Sequence, residues 1–358
     1  MPSKRTSLVL IAVGLAILAG CSSSPSSSSS SATHAAYVSL PNSNAVGGFL
    51  VDNTTAQFTA ILGSPYPGGT SPASVVVHPS NKFVYAANQS GNDISLFTIN
   101  GTLGSLLEVL PRTATGTTPV SLAMDKGGNF LFVVNQVSSS ISVYAINSGT
   151  GALTPVGAPV STPPNPFRLA LAPSEKFLYV LNTNLGAVIA YTVNAGVLQP
   201  VAGPPVQVGN GPLAITVDPA ENFVYVANSA DNTVSVLSID STTGALTLLG
   251  SYTTGTTPTS VAVLGQFLFV ANLVSSNISV FSVAPTTGVL TQVTSSPFSA
   301  GTAPLFEVID PNNLFLYVGS QTAKSITALT IDTTTGALAV TTQSTPTAAA
   351  PSSMSVSK

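Results

Sequence analysis

The chain has 358 residues, and only 6 % of them are charged, against about a quarter in an average soluble domain. Its formal net charge is −3. A chain so weakly charged and slightly acidic lacks the basic patches that phosphate backbones and anionic membrane surfaces require, so nucleic acid is excluded as a partner.

The first segment reads as an export signal. Lys4 and Arg5 precede an apolar run from Leu8 to Leu18, 11 residues long, whereas a helix crossing a bilayer needs about 20. The run has the length of a signal-peptide core. Leu18-Ala19-Gly20-Cys21 follows and resembles the bacterial lipobox, in which the cysteine becomes the acylated mature N-terminus. A plain secretory signal with an incidental cysteine is the weaker alternative, because Cys21 is the only cysteine in the chain. Residues 1–20 are therefore expected to be a lipoprotein signal peptide and Cys21 the lipidation site. The exported protein would hang from the cell envelope by its lipid alone, on the periplasmic or outer face. Removal of Lys4 and Arg5 leaves 7 basic against 12 acidic residues. Residues 21–34, almost all serine after the cysteine, have no apolar side chains to offset the entropy of ordering and are expected to form a tether that includes His34.

From residue 35 to 358 the chain repeats. A proline followed by a short apolar strand recurs at Pro72, Pro119, Pro166, Pro212, Pro258, Pro304 and Pro351, at intervals of 46 or 47 residues. Four strand signals fall in each period. In the unit at Pro212 they begin at Leu213, Phe223, Thr233 and Ala245, separated by turns such as Asp218-Pro219-Ala220-Glu221 and Asp240-Ser241-Thr242-Thr243-Gly244. Alternating β-branched and aromatic residues fill the strands. This period and strand count predict an all-β fold: a seven-bladed β-propeller of four-stranded blades. Ala36-Tyr37-Val38 and Val46 to Leu50 look like second and third strands of a blade without a first. Pro351 to Val356 is a first strand without a blade. The C-terminal strand is thus expected to complete the first blade and close the ring.

Tyr225-Val226-Ala227-Asn228 and its near-copies at Tyr85 to Asn88, Phe132 to Asn135, Tyr179 to Asn182 and Phe269 to Asn272 resemble the repeat of the YVTN and lactonase-like seven-bladed propellers. That family includes the propeller-type 6-phosphogluconolactonase. The resemblance spans the mature chain and implies the same fold. Catalytic members of the lactonase branch share an Arg-His pair after the first-strand proline and a Glu after the second-strand Asn. Here Pro119 is followed by Val120-Ser121 and Pro258 by Thr259-Ser260, while Gln89, Gln136, Thr183, Ser229 and Leu273 follow the asparagines. No catalytic residue is carried over.

Little else in the sequence carries chemistry. His78 occupies the turn position that Asp125, Asp218 and Asp310 hold elsewhere, and reads as a turn residue. One cysteine and two scattered histidines make no metal site, and no cofactor is expected. A quinone or electron-transfer propeller is disfavoured for want of a haem or metal motif. Two first-strand residues break the repeat. Arg168 stands where Ser74, Ser121, Ala214, Ser260 and Ser353 stand in other units, and Glu307 replaces an apolar residue. They are the candidate ligand-binding residues of the central channel, three repeats apart and too far across it for a salt bridge. These features favour a monomeric binding or scaffold module for a protein or a neutral polar ligand, with at most trace lactone turnover. The alternative is a lactone hydrolase resembling 6-phosphogluconolactonase.

Overall fold

The computed structural model describes residues 33–341 and 344–358. The expected signal peptide, Cys21 and most of the serine-rich segment lie outside them.

Seven antiparallel sheets each carry four strands in sequence order from the centre outward, A to D. Blades 2 to 7 begin with strand A at Pro72–Val77, Pro119–Met124, Pro166–Leu171, Pro212–Val217, Pro258–Leu264 and Pro304–Ile309. Blade 1 takes its strand A from the other end of the chain. Ser353–Val356 pairs with Thr33–Leu40, with Tyr37 opposite Ser355 and Val38 opposite Met354. The ring is closed as the sequence predicts.

Strand B explains the strength of the repeat. Five of these strands are buried at every residue and end in a fully buried asparagine or, in blade 7, a serine. In four blades the asparagine amide donates to a strand C serine: Asn88 to Ser95, Asn135 to Ser142, Asn228 to Ser235 and Asn272 to Ser279. The asparagine of this motif is therefore structural, since it satisfies a polar group inside the sheet. The strand B tyrosines tie neighbouring blades together. Tyr37, Tyr85 and Tyr179 donate to the carbonyls of Gly104, Gly151 and Gly244 in the C–D turn of the next blade. Gly244 has φ +76°, and a Cβ there would strike the Phe177 ring, so a glycine is needed for both reasons.

Two features depart from the sequence reading. First, strand D is continuous only in blades 2 and 5; in the other five it is two short pieces on the same strand C, as with Phe58–Ala60 and Tyr66–Pro67. Prolines such as Pro65, Pro159, Pro204 and Pro297 lie between or beside the pieces. They have no N–H to offer a ladder and blunt the outer edges. Second, strand B of blade 1 starts at Thr33, so His34 is part of the sheet and not of a tether. It is buried, with Nδ1 2.6 Å from Asn53 Oδ1 and Nε2 3.3 Å from the Tyr317 hydroxyl. At this junction His34 replaces the glycine carbonyl as the tyrosine's partner.

Candidate functional site

The first strands surround the axis, and their register decides what each side chain meets. Counting the proline as position 1, position 4 is an interblade core position. Val75, Leu169, Val261 and Met354 fill it in different blades and are buried. Position 3 points to the seam with the following blade. There a serine oxygen accepts the position 4 N–H of the next blade: Ser353 from Val75 (3.3 Å), Ser74 from Leu122 (3.3 Å), Ser121 from Leu169 (3.4 Å) and Ser260 from Glu307 (3.1 Å). Four of the seven seams are stitched in this way. The other three have Arg168, Ala214 and Phe306 at position 3.

A cavity of about 330 Å³ opens among these strands, and its wall includes Ser74, Ser121, Arg168, Ile215, Phe306 and Glu307. The structure thus brings Arg168 and Glu307, from blades 4 and 7, to one cavity. They do not form an ion pair; among the described residues the pair found is Arg112–Glu108 on the outside of blade 2. A larger depression of about 450 Å³ at the rim, lined by residues such as Val188, Pro200, Pro204 and Leu246, carries no ionisable side chain. Of these two cavities, only the axial one carries ionisable side chains.

Arg168 is half-buried. Its Nη1 donates to the Val120 carbonyl (2.7 Å), and the guanidinium lies 4.6 Å from the centroid of the Phe167 ring. Burial pulls its pKa down to about 10, which leaves it charged at neutral pH. Among the described residues its four other N–H groups find no acceptor.

Glu307 is only 7 % exposed, and neither carboxyl oxygen has a hydrogen-bond partner. Its side chain belongs to the seam between blades 6 and 7, at the cavity wall, more than to an open channel. Burial pushes the carboxyl pKa up to about 8, and the backbone N–H groups of Ala271 and Ala262 facing it offset only part of this. The group is mostly neutral at pH 7 because those N–H groups do not repay the desolvation of the anion.

Phe306 was missed by sequence reasoning, although the repeat contains its signal. It is the one aromatic at position 3, and the residue across from it on strand B is Gly319. Elsewhere the paired strand B residue is Ser39, Ala87, Val134, Leu181, Ala227 or Ala271. The ring occupies the space of the missing side chain and walls one side of the cavity. His78 takes the turn position expected for it, with Nδ1 receiving the Ser80 N–H and Nε2 2.9 Å from the Gly128 carbonyl of the next blade. Among the described residues no three His, Cys, Asp or Glu converge as metal ligands.

The sequence pattern of the family described as "Lactonase, 7-bladed beta-propeller" matches residues 30–167, 163–263 and 261–356. The chain belongs to this lactonase propeller family. No curated protein matches it in sequence. Among solved structures it is similar to a Bacteroides fragilis protein of proposed 6-phosphogluconolactonase activity, with 20 % identity and a TM-score of 0.79 over 92 % of this chain and 99 % of that one. It is also similar to the periplasmic gluconolactonase of Pseudomonas aeruginosa, with 19 % identity and a TM-score of 0.77 over 91 % and 99 %. At such identities the likeness fixes the fold of this lactonase-family propeller, and its chemistry rests on its own cavity.

Proposed function

We propose that the protein hydrolyses a small neutral lactone of the sugar-lactone class in its central cavity. The observation that carries this reading is Arg168: a charged guanidinium that, among the described residues, has four free N–H groups and no carboxylate partner, on the wall of a cavity of about 330 Å³, in a lactonase-family chain. Ring opening places negative charge on the carbonyl oxygen as water adds to the carbonyl carbon. Hydrogen-bond donors held in place for that oxygen lower the barrier. Arg168 supplies them. The ring C–O bond then breaks, the ring oxygen takes up a proton, and a hydroxy acid results. Glu307 is the one acid–base side chain on the cavity wall. Burial in the seam holds its carboxyl protonated near neutral pH, and turning from the seam to the cavity would let it give up that proton. The absence of a phosphate-binding cluster, with Arg168 the only basic residue on the wall, favours a neutral substrate over a sugar phosphate.

Acid release during hydrolysis of glucono-1,5-lactone, followed as base uptake by pH-stat, tests the assignment. Turnover well above the spontaneous rate is expected. A rate equal to the protein-free reaction overturns it and leaves the second reading, a binding module. That reading is favoured by the sealed position of the Glu307 oxygens. In either case we place the protein in the cell envelope, anchored through Cys21. Lys4-Arg5, the run from Leu8 to Leu18 and the lipobox-like Leu18 to Cys21 support this placement.

A further inference from the structure

The cavity wall combines one fixed positive charge with surplus donors. Ser74 and Ser121 use their oxygens to accept N–H groups from the next blade, and among the described residues their own O–H groups find no acceptor. Ile215 lies at position 4 of blade 5, in the register at which Val75, Leu122 and Leu169 direct their N–H to a serine. The preceding blade offers Arg168 there, so no side chain accepts the Ile215 N–H. Glu307, the wall's only acid, is mostly protonated at pH 7. The remaining wall residues, among them Leu122, Phe306, Val308 and Met354, are uncharged.

We infer that the cavity is a carboxylate site, whose preferred occupant is a sugar-sized hydroxy acid bound through the Arg168 fork, the Ile215 N–H and the Ser121 hydroxyl. This rests on the reading of the cavity as the lactone site, and it makes the ring-opened product the tighter ligand. A guanidinium fork matches the two oxygens of a carboxylate, and a half-buried charge without a counter-ion gains most from an anion. A neutral lactone offers only the dipole of its carbonyl.

Titration calorimetry of the full-length protein with gluconate and with gluconamide tests this directly. The two share a carbon skeleton and differ in the charge of the terminal group. At pH 7 gluconate is expected to bind at least tenfold more tightly. Arg168→Met should abolish that preference, and Arg168→Lys should keep part of it, since the charge remains and the fork is lost. Between pH 7 and 9 gluconate binding should weaken as the Glu307 carboxyl ionises. The facing groups Ser260, Ala262 and Ala271 do not titrate and Arg168, with a pKa of about 10, stays mostly charged, so Glu307→Gln should remove most of the pH dependence. Equal affinities for gluconate and gluconamide in the parent protein, or no gluconate binding at millimolar concentration, would overturn the inference. Turnover without gluconate preference sinks the carboxylate site alone. Gluconate preference without turnover sinks the hydrolase alone.

Discussion

Gly319→Ala isolates one close approach at the cavity wall. Gly319 pairs with Phe306, and a Cβ at residue 319 would lie 2.7 Å from Phe306 Cε2 and closer still to Cζ and Cε1. The ring cannot yield freely, because Phe306 packs in the core shared with Tyr317, Ile326 and Met354. Overpacking of this kind costs about 1–3 kcal/mol. Phe306→Ser alone empties the space and should cost roughly 3–5 kcal/mol, the usual loss for truncating a buried phenylalanine. The double variant recreates the Ser260–Ala271 and Ser74–Ala87 pairs of other blades. It also offers an acceptor to the Met354 N–H, the bond that stitches four other seams. The two changes should therefore be non-additive, with the double variant more stable than the sum of the singles predicts by at least ~1 kcal/mol. Urea unfolding of the four proteins, compared by midpoint at constant slope, reads this coupling. Additive losses, or a Gly319→Ala protein as stable as the parent, would show that Phe306 and Gly319 do not compensate each other in volume.

His34 gives a prediction on pH. The neutral ring donates from Nδ1 to Asn53 and accepts at Nε2 from Tyr317, and burial holds its pKa below the ordinary value, against the pull of Asp310. The unfolded chain thus binds the proton more readily, so this stability is full above about pH 6.5 and lost as pH falls below it. Glu307 acts with the opposite sign: its folded pKa of about 8 exceeds the unfolded value of 4.5, and its contribution fades as pH rises. The difference between parent and His34→Gln is therefore the readout; it should shrink from pH 7.5 to 5.5, and a difference that is constant or grows speaks against a neutral His34. For the anchor, Cys21→Ser should shift the protein from the membrane fraction to the soluble one or leave it unprocessed. Unchanged processing and membrane association would count against lipidation.

The architecture was legible because seven copies of one unit share a period, and because the unmatched strand signals at Ala36 to Val38 and at Pro351 to Val356 could only complete each other. What escaped was non-local. The position 3 serines are plain in the repeat, but their partners are N–H groups about one repeat away in the next blade, so their role as stitches appears only when the blades stand side by side. His34 follows a run of serine and looks like its tail; its burial depends on Tyr317, 283 residues away. Arg168 and Glu307 stood out by breaking the repeat. That Glu307 turns its carboxyl into the seam between blades 6 and 7 depended on register, which the alternation of apolar residues at position 4 already implied. Phe306 and Gly319 compensate each other in volume, a relation visible only once the pairing of strands A and B is known.

The most direct measurement is the initial rate of glucono-1,5-lactone hydrolysis by the full-length protein beside Arg168→Met and Glu307→Gln, from pH 6 to 9. Turnover by the parent is expected, and Arg168→Met should reduce it by about two orders of magnitude, as for loss of a charged donor to an oxyanion. Glu307→Gln should flatten the rate's dependence on pH near 8. Parent turnover that both substitutions leave intact would place the chemistry elsewhere on the ring and contradict the account.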